Sequence, residues 1–138
     1  MGQVKGQEAE QSETTTVNKP RVFVYGTLKR GKSNHGLLAG ATYLGTDTVR
    51  GPYSMVDLGW YPGVVRLDDS VDSPIVGEVY EVDEPTLHSL DCLEGHPDFY
   101  ERIKIKTQFK GAWLYTLPPS WLEDHKVLED GEWHGERD

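Results

Sequence analysis

The chain has 138 residues, is 36% hydrophobic and 27% charged, and carries a formal net charge of −9. These values are ordinary for one soluble globular domain, and the acidic balance argues against nucleic acid as a partner, because phosphate backbones require a basic surface. No apolar run is long enough to cross a bilayer, and the N-terminus lacks the apolar stretch of a secretory signal. The single cysteine, Cys92, has no partner within the chain for a disulfide, so we expect a reducing cytoplasm.

The N-terminal part of the chain contains a polar segment followed by an apolar one. Residues 1–19 have almost no large apolar side chains and therefore predict a flexible leader. The run Arg21–Tyr25 is β-branched and aromatic and ends at Gly26, which predicts a buried first strand. A loop rich in glycine and lysine follows, and then a short helical turn around His35–Ala39.

The middle and C-terminal parts of the chain are dominated by strand-like segments. Turn clusters rich in glycine and proline separate these segments, and the break at Lys110-Gly111 predicts a hairpin between the last two strands. The predicted strands are Tyr43–Val49, Tyr53–Leu58, Gly63–Leu67, Ile75–Val82, Tyr100–Phe109 and Ala112–Leu117.

One helix has clear signals at both ends. Asp83 is a favourable N-cap, Pro85 suits the first turn, and Gly95 suits the position just past the last turn. Between them, leucines recur at a spacing of three residues, which predicts a stripe that faces the core. These leucines are Leu87, Leu90 and Leu93.

The number and order of these elements indicate the fold class. Helices are few, strands are many, and the two do not alternate along the chain, which favours an α+β fold. We expect a small mixed β-barrel or a strongly curled sheet with a few peripheral helices. The ordered domain is expected to cover residues 20–134, with residues 135–138 as a C-terminal tail.

The loop after the first predicted strand matches a nucleotide-binding pattern. Residues 26–33 fit the Walker A pattern G-x-x-x-x-G-K-[ST], which makes nucleotide binding one alternative function. The context argues against it, because a Walker lysine opens a long helix and here Gly36 and Gly40 interrupt the following segment. The only later candidate for a magnesium ligand, Asp57, lies among segments that predict antiparallel hairpins. On this basis Lys32 is expected to extend into solvent.

Glu94 is the most informative acidic residue. It follows Leu90 by four residues and Leu87 by seven, so it shares their inward helix face. Burial and the negative end of the helix dipole both disfavour its anion and should raise its pKa toward neutrality. A carboxyl group in that range can accept and return a proton within one turnover. The alternative is that Glu94 points into solvent from the frayed helix end.

The other reactive or charged residues do not predict a functional site. Cys92 and His88 are one helical turn apart, but the helix C-terminus disfavours a thiolate, so we expect an inert cysteine beside a surface histidine. The histidines show no HExxH spacing, and no CxxC motif occurs, so no metal site is predicted. Arg102, Lys104 and Lys106 alternate along one strand, which predicts a solvated face.

Several sequence segments together match the ordered motifs of one known family. They are Val22-Phe-Val-Tyr-Gly-Thr-Leu-Lys-Arg-Gly31 with Asn34-His35, Gly77-Glu-Val-Tyr-Glu-Val-Asp83, and Leu90-Asp-Cys-Leu-Glu-Gly-His-Pro97 with Tyr100-Glu-Arg102. In order and spacing they resemble the γ-glutamyl cyclotransferase-like family, and shorter likenesses at 57–63 and 128–133 extend the resemblance to roughly residues 20–134. The relatives that it suggests most closely are the γ-glutamylamine cyclotransferases and their small bacterial counterparts.

The resemblance implies a mixed β-barrel with a cavity beside the first strand and its loop. It further implies an enzyme that converts a small γ-glutamyl amine or amide to 5-oxoproline by intramolecular acyl transfer, without a cofactor. By match of motif, Glu94 would be the catalytic carboxylate, and the substrate-binding residues would be Tyr25, Gly26, Thr27, Leu28 and Tyr100.

Three points stay open at the level of the sequence. Tyr25 could equally be a core aromatic without a role in the pocket. A protein of the same fold could bind a small molecule without turnover, with Glu94 holding the ammonium group of the ligand. The segment between Asn34 and Gly77 is shorter than in the animal enzymes, so the resemblance does not specify the leaving amine, and the oligomeric state is likewise unspecified.

Overall fold

A computed structural model describes residues 19–135 of the chain. The predicted leader and tail therefore lie outside the described residues, apart from Lys19 and Gly135. Among the described residues there is one α-helix, α1 (Glu84–Glu94), together with 3-10 helical turns at His35–Leu38 and Pro119–Leu122. The strands are β1 (Arg21–Val24), β2 (Thr42–Gly51), β3 (Tyr53–Asp57), β4 (Pro62–Arg66), β5 (Ser73–Glu81), β6 (Glu101–Thr107), β7 (Lys110–Thr116) and β8 (Lys126–Val127).

The described strands form two sheets, and β1 is the middle strand of the larger one. The first has five strands in the order β2-β5-β1-β7-β6, and the second has three in the order β4-β3-β8. Strand β1 pairs antiparallel with β5 and parallel with β7, where Val22 lies opposite Trp113. A parallel bridge between Val65 of β4 and Leu117, just after β7, connects the two sheets. Strand β1 is central in its sheet, which explains its continuous apolar sequence.

The edge strands of the five-stranded sheet approach each other at one end. The backbone N–H of Gln108, in the β6–β7 turn, donates a hydrogen bond to the Asp47 carboxylate on β2 at 2.9 Å. The side-chain amide of Gln108 donates to the carbonyl oxygen of Thr46, also at 2.9 Å.

The predicted α+β class is confirmed. Within residues 19–135, however, the strands form open sheets, and no ladder of backbone hydrogen bonds closes them into a barrel.

The two faces of β1 contribute to two apolar clusters. Val22 and Val24 pack on the side of α1, together with Leu87 and Leu90 of that helix. Phe23 points to the other side, where it packs with apolar residues of β3, β4, β5 and the C-terminal segment. This alternation is the period-two pattern of a strand buried on both faces. Strand β1 therefore holds α1 at a defined position relative to the loop that follows β1.

Helix α1 has the predicted ends. The Asp83 side chain accepts a hydrogen bond from the backbone N–H three residues later at 2.8 Å, and Gly95 adopts the left-handed conformation with a φ of 69°. Leu87 and Leu90 are buried as predicted. Leu93 is 41% exposed, so the prediction that it faces the core was wrong. The reason is that the last turn of α1 passes the edge of the core and borders an open cleft.

The C-terminal segment contributes structure that the sequence pattern did not predict. Strand β8 is only two residues long and pairs with β3. Residues 128–135, here called the C-terminal strap, follow it and cross the molecule next to β5, where the Val76 N–H donates to the Gly131 carbonyl oxygen at 2.8 Å. Trp133 is only 2% exposed and anchors the strap in the apolar cluster around Phe23. No helix within the described range has the length and hydropathy that crossing a membrane requires.

Candidate active site

A cleft of about 240 Å³ opens beside the end of β1 and the C-terminus of α1. Its walls come from β1 and the following loop, from the β3–β4 turn, and from the end of α1 with the segment that leads to β6. The structure brings all six predicted site residues together in its lining. They are Tyr25, Gly26, Thr27, Leu28, Glu94 and Tyr100.

Glu94 is the last residue of α1 and lines this cleft. Burial of its carboxyl group raises the pKa from the ordinary value of 4.5 to about 7. No residue between 19 and 135 donates a hydrogen bond to this carboxylate, so nothing offsets the cost of burying its charge. The side chain is partly buried and does not fray into solvent, so the position of Glu94 agrees with the inward face that its spacing predicted.

The loop after β1 is held in a tight turn against the cleft. The Lys29 N–H donates to the Gly26 carbonyl oxygen at 3.0 Å, which closes the turn. A Cβ atom at Gly26 would lie 2.7 Å from the Cδ of Pro62, closer than real Cβ contacts allow. Glycine at this position therefore lets the loop approach the β3–β4 turn closely.

Asn34 fixes the other end of this loop. Its backbone N–H donates to the Thr27 carbonyl oxygen at 2.8 Å, and its side-chain amide donates to the Thr27 hydroxyl at 2.9 Å. The backbone N–H groups of Gly26, Thr27 and Leu28 find no acceptor among the residues that the structure describes. Neighbouring unpaired N–H groups can bind an anion or a polarised carbonyl oxygen. Asn34 was part of the family pattern but was not predicted as a site residue.

Two tyrosines use their hydroxyl groups to hold the walls of the cleft. The Tyr25 hydroxyl donates to the Tyr115 carbonyl oxygen at 2.7 Å and accepts from the Val64 N–H at 3.1 Å. The Tyr100 hydroxyl donates to the Pro62 carbonyl oxygen at 2.7 Å. Burial raises the pKa of both phenols, so both remain neutral donors. Tyr25 thus lines the cleft with its ring and connects two strands with its hydroxyl group.

A polar network that sequence reasoning missed begins at Asp91, three residues before Glu94 on α1. The Arg102 guanidinium forms a two-point ion pair with the Asp91 carboxylate at 2.8 and 3.1 Å. The Tyr115 hydroxyl donates to the same carboxylate at 2.6 Å. Desolvation opposes ionisation here, but the hydrogen bonds from Arg102 and Tyr115 lower the pKa of Asp91. Asp91 therefore anchors α1 to β6 and β7.

The prediction of a solvated face for the alternating basic residues of β6 was therefore wrong for Arg102. Its guanidinium is paired with Asp91 and also lies 4.3 Å from the centre of the Trp113 ring. Lys104 and Lys106 are exposed as predicted, although the Lys104 ammonium lies 4.5 Å from the centre of the same ring. The partner of Arg102 lies on a different element, which no pattern along β6 could indicate.

The mouth of the cleft is lined by large apolar side chains that remain partly open to solvent. Tyr61, Leu93 and Phe99 are 39%, 41% and 38% exposed, and all three line the cleft. The Phe99 ring packs edge-on against Tyr100 at 5.1 Å and against Trp121 at 5.4 Å, which restricts its orientation. We call Tyr61, Leu93 and Phe99 the apolar mouth.

Two of the three basic side chains of the Walker-like loop bind the C-terminal strap. The Lys29 ammonium donates to the Trp133 carbonyl oxygen at 2.8 Å, and the Lys32 ammonium donates to the His134 carbonyl oxygen at 3.1 Å. The expectation that Lys32 extends freely into solvent was therefore wrong. The segment after the loop is a single 3-10 turn, His35–Leu38, rather than the long helix that a phosphate-binding loop opens.

Metal-ligating side chains are grouped outside the cleft. Asp130, Glu132 and His134 have ligand atoms within 4.8 Å of one another on the C-terminal strap, where Asp130 and His134 are already hydrogen-bonded at 3.0 Å. Cys92 is exposed, with its sulfur 3.7 Å from a His88 ring nitrogen. Among the described residues, the cleft lining contains one carboxylate and no cysteine or histidine.

Comparisons of sequence and of structure both match this chain to proteins of one family. A profile of the family described as gamma-glutamyl cyclotransferase, AIG2-like, matches residues 22–135. A Vibrio cholerae protein provisionally named a gamma-glutamylcyclotransferase is 44% identical over 112 residues, which are 81% of this chain and 93% of that protein. The gamma-glutamylaminecyclotransferase of Bos taurus is 36% identical over 118 residues, covering 73% of this chain and 69% of that protein. The crystal structure of an aig2-like protein from Mus musculus superposes with a TM-score of 0.67 at 28% identity, covering 84% of this chain and 88% of the mouse chain.

Proposed function

Because this chain belongs to the gamma-glutamyl cyclotransferase, AIG2-like family, we propose that it is an enzyme that cyclises a γ-glutamyl amine or amide. The products are 5-oxoproline and the free amine. A γ-glutamyl compound carries its own nucleophile, the α-amine, and its own electrophile, the γ-carbonyl carbon. The protein therefore needs only to fold the substrate, stabilise the charge that develops and move protons, which protein groups can do without a cofactor.

The observation that carries this proposal is that Glu94 lines one cleft with Gly26, Thr27 and Leu28, whose N–H groups have no acceptor within residues 19–135. With a pKa of about 7, the Glu94 carboxyl group is present in both protonation states near neutral pH. Such a group can act first as a base and then as an acid. The N–H groups supply donors for a carboxylate or an oxyanion.

The chemical steps require only these groups and water. Glu94 takes a proton from the α-ammonium group, and the α-nitrogen attacks the γ-carbonyl carbon to form the ring C–N bond. The carbonyl oxygen becomes an oxyanion that accepts hydrogen bonds from the N–H groups of 26–28. The bond to the departing nitrogen then breaks as Glu94 gives that nitrogen a proton. The second proton lost by the ammonium goes to water, and the released amine takes one up from water.

The dimensions of the cleft suit an intramolecular reaction. Its volume of about 240 Å³ lies below the roughly 300–1,000 Å³ of common ligand pockets, so it favours a compact, folded substrate. Holding the α-amine against the γ-carbonyl makes the attack unimolecular, which by itself lowers the barrier substantially. The rings of Tyr25 and Tyr100 are fixed by their hydroxyl groups and form rigid walls for this purpose.

Two alternatives make different predictions. A binding protein without turnover would use the same cleft, with Glu94 holding the ammonium group of its ligand. Nucleotide binding would require free cations in the loop 26–33, whereas Lys29 and Lys32 are bound by the C-terminal strap. The remaining cation of the loop, Arg30, lies over the Tyr43 ring at 4.5 Å from its centre.

The test is to incubate the purified protein with γ-glutamyl alkylamides, γ-glutamyl amino acids and ε-(γ-glutamyl)lysine, and to measure 5-oxoproline by mass spectrometry. We expect catalytic release from at least one class of compound. Saturable binding with no product across the set would favour the binding protein instead. Saturable ATP binding that is lost in Lys32→Ala would favour the nucleotide alternative.

A further inference from the structure

We propose that the apolar mouth is a subsite for an uncharged, apolar leaving group, so that the preferred substrates are γ-glutamyl amides of apolar amines rather than γ-glutamyl amino acids. The subsite consists of Tyr61, Leu93 and Phe99. This inference rests on the proposed function, because it concerns the group that the cyclisation releases.

The inner part of the cleft accounts for the γ-glutamyl portion of the substrate. Its α-ammonium group belongs next to Glu94, and its carboxylate and γ-carbonyl oxygen belong next to the N–H groups of 26–28. The walls there are the buried residues Tyr25 and Tyr100. The leaving amine is attached beyond the γ-carbonyl carbon, so it extends toward the open side of the cleft. The open side is the apolar mouth.

The three mouth residues come from three different parts of the chain. Tyr61 precedes β4, Leu93 lies in the last turn of α1, and Phe99 lies in the segment between α1 and β6. Single exposed apolar side chains are common on protein surfaces and need no explanation. Here they line one cleft, and Phe99 is oriented by its contacts with Tyr100 and Trp121. Because these side chains line one cleft, they present apolar surface at the position that a leaving group would occupy.

The charges around the cleft disfavour an anionic leaving group. Among the described residues, the lining contains no lysine, arginine or histidine, and its one carboxylate is Glu94. A carboxylate on the leaving group would lose part of its hydration without gaining a cation, and it would lie near a second acidic group. Two basic side chains on elements next to the cleft are engaged elsewhere, since Arg102 pairs with Asp91 and Lys29 binds the C-terminal strap.

Two substrates that differ by one carboxylate test the effect of charge on the leaving group. γ-Glutamyl-3-methylbutylamide and γ-glutamyl-leucine differ only in the α-carboxylate of the leaving group. We expect kcat/KM to be at least about tenfold higher for γ-glutamyl-3-methylbutylamide, because the site leaves the carboxylate of γ-glutamyl-leucine unpaired. γ-Glutamyl-methylamide should be about tenfold slower than the 3-methylbutylamide, because it places less apolar surface in the mouth. Equal values, or a preference for γ-glutamyl-leucine, would overturn the proposal.

A substitution in the mouth should change this preference. Leu93→Arg introduces a cation beside the leaving group and should reduce the ratio of the two kcat/KM values by about fivefold or more. The variant should fold, because Leu93 is 41% exposed and a cation is favourable at a helix C-terminus. Leu37→Arg is the matched control, since Leu37 is also 41% exposed but does not line the cleft. An unchanged ratio in folded Leu93→Arg contradicts the subsite.

Calorimetry separates failure of the subsite from failure of the proposed function. If neither compound yields 5-oxoproline, the proposed function fails, and the two dissociation constants still test the mouth. Tighter binding of γ-glutamyl-3-methylbutylamide would support the subsite in that case. Equal or tighter binding of γ-glutamyl-leucine would overturn it.

Discussion

Asp91 and Glu94 are two carboxylates on the same helix, less than one turn apart, in opposite environments. Asp91 accepts hydrogen bonds from Arg102 and Tyr115, which lower its pKa despite burial. Glu94 accepts none from the described residues, and burial raises its pKa to about 7. Burial alone does not decide the behaviour of an acidic group; its donors do.

The difference separates an anchoring role from a chemical one. A carboxylate held ionised by an arginine cannot exchange protons near neutral pH, but it can fix a helix against a sheet. An unpartnered carboxyl group in a cleft is costly for the fold and available to a substrate. Asp91 thus fixes α1 against the sheet, while the pKa of about 7 leaves the Glu94 carboxyl group at the end of α1 in both protonation states near neutral pH.

Substitution of Glu94 should have the largest effect on turnover. Glu94→Gln keeps the size of the side chain but cannot carry a proton, so 5-oxoproline release should fall by at least about 10²-fold. Ligand binding should survive in part, because the N–H groups of 26–28 are unchanged. Thermal melting, binding and product release measured on one preparation check this. Near-parental turnover in the folded variant would refute the proposed role.

The same variant should be at least as stable as the parent. Because the pKa of Glu94 is raised in the folded state, the folded protein holds a proton that the unfolded chain releases, and its stability falls as pH rises from about 4.5 to 7. Glu94→Gln removes this cost. The stability advantage of the variant should therefore increase across that range and stay constant above it, as measured by urea unfolding at several pH values.

Substitution of Asp91 should act mainly on stability. Asp91→Asn leaves Arg102 without its counter-charge in a site where both side chains are less than 20% exposed. We expect a loss of about 2 kcal/mol in unfolding free energy, somewhat below that for a fully buried pair. Once folded, the variant should keep turnover within about tenfold of the parent, since Asp91 does not line the cleft. Asp130→Asn, in an exposed pair with His134, is the control and should change stability by less than about 0.5 kcal/mol.

Removal of the Tyr25 hydroxyl should have a smaller effect on the fold. Tyr25→Phe removes the hydrogen bonds that the hydroxyl makes with the Val64 N–H and the Tyr115 carbonyl oxygen. We expect a loss of about 1–2 kcal/mol with turnover within about threefold of the parent, because the ring still forms the cleft wall. The control is Tyr43→Phe, where the side chain is 40% exposed. Loss of turnover without loss of stability would give the Tyr25 hydroxyl a chemical role instead.

Lys32→Ala should have the smallest effect. Its ammonium group binds one exposed carbonyl oxygen of the C-terminal strap, so we expect a change of less than about 0.5 kcal/mol and unaltered turnover. Thermal melting and 5-oxoproline release measure both. A large loss of turnover would mean that the Walker-like loop uses this lysine.

Local sequence signals predicted the parts of the site that depend on local geometry. Asp83 and Gly95 mark the ends of α1, and the spacing of Glu94 from Leu87 and Leu90 predicts its inward face. The identities of the cleft residues came from the family resemblance, because the loop at 26–28 and the end of α1 lie far apart in sequence. Spacing alone could not bring them together.

Features that depend on distant partners were missed. The ion pair between Asp91 and Arg102 joins a helix to a strand, and neither segment carries a local pattern for it. Lys32 and His134 are 102 positions apart, so the expectation of a free lysine could not account for the C-terminal strap. Closure of the sheet also depends on long-range pairing, which explains why a barrel and a curled sheet could not be distinguished from the sequence.

We propose that environment leaves Glu94 able to change its protonation state near neutral pH and holds Asp91 ionised. A ¹³C NMR titration of both carboxyl groups in one folded sample tests it most directly, with Glu94→Gln and Asp91→Asn used to assign the signals. We predict a midpoint of about 7 for Glu94 and one below the ordinary value of 3.8 for Asp91. A Glu94 midpoint near 4.5, or an Asp91 midpoint at or above that of Glu94, would contradict it.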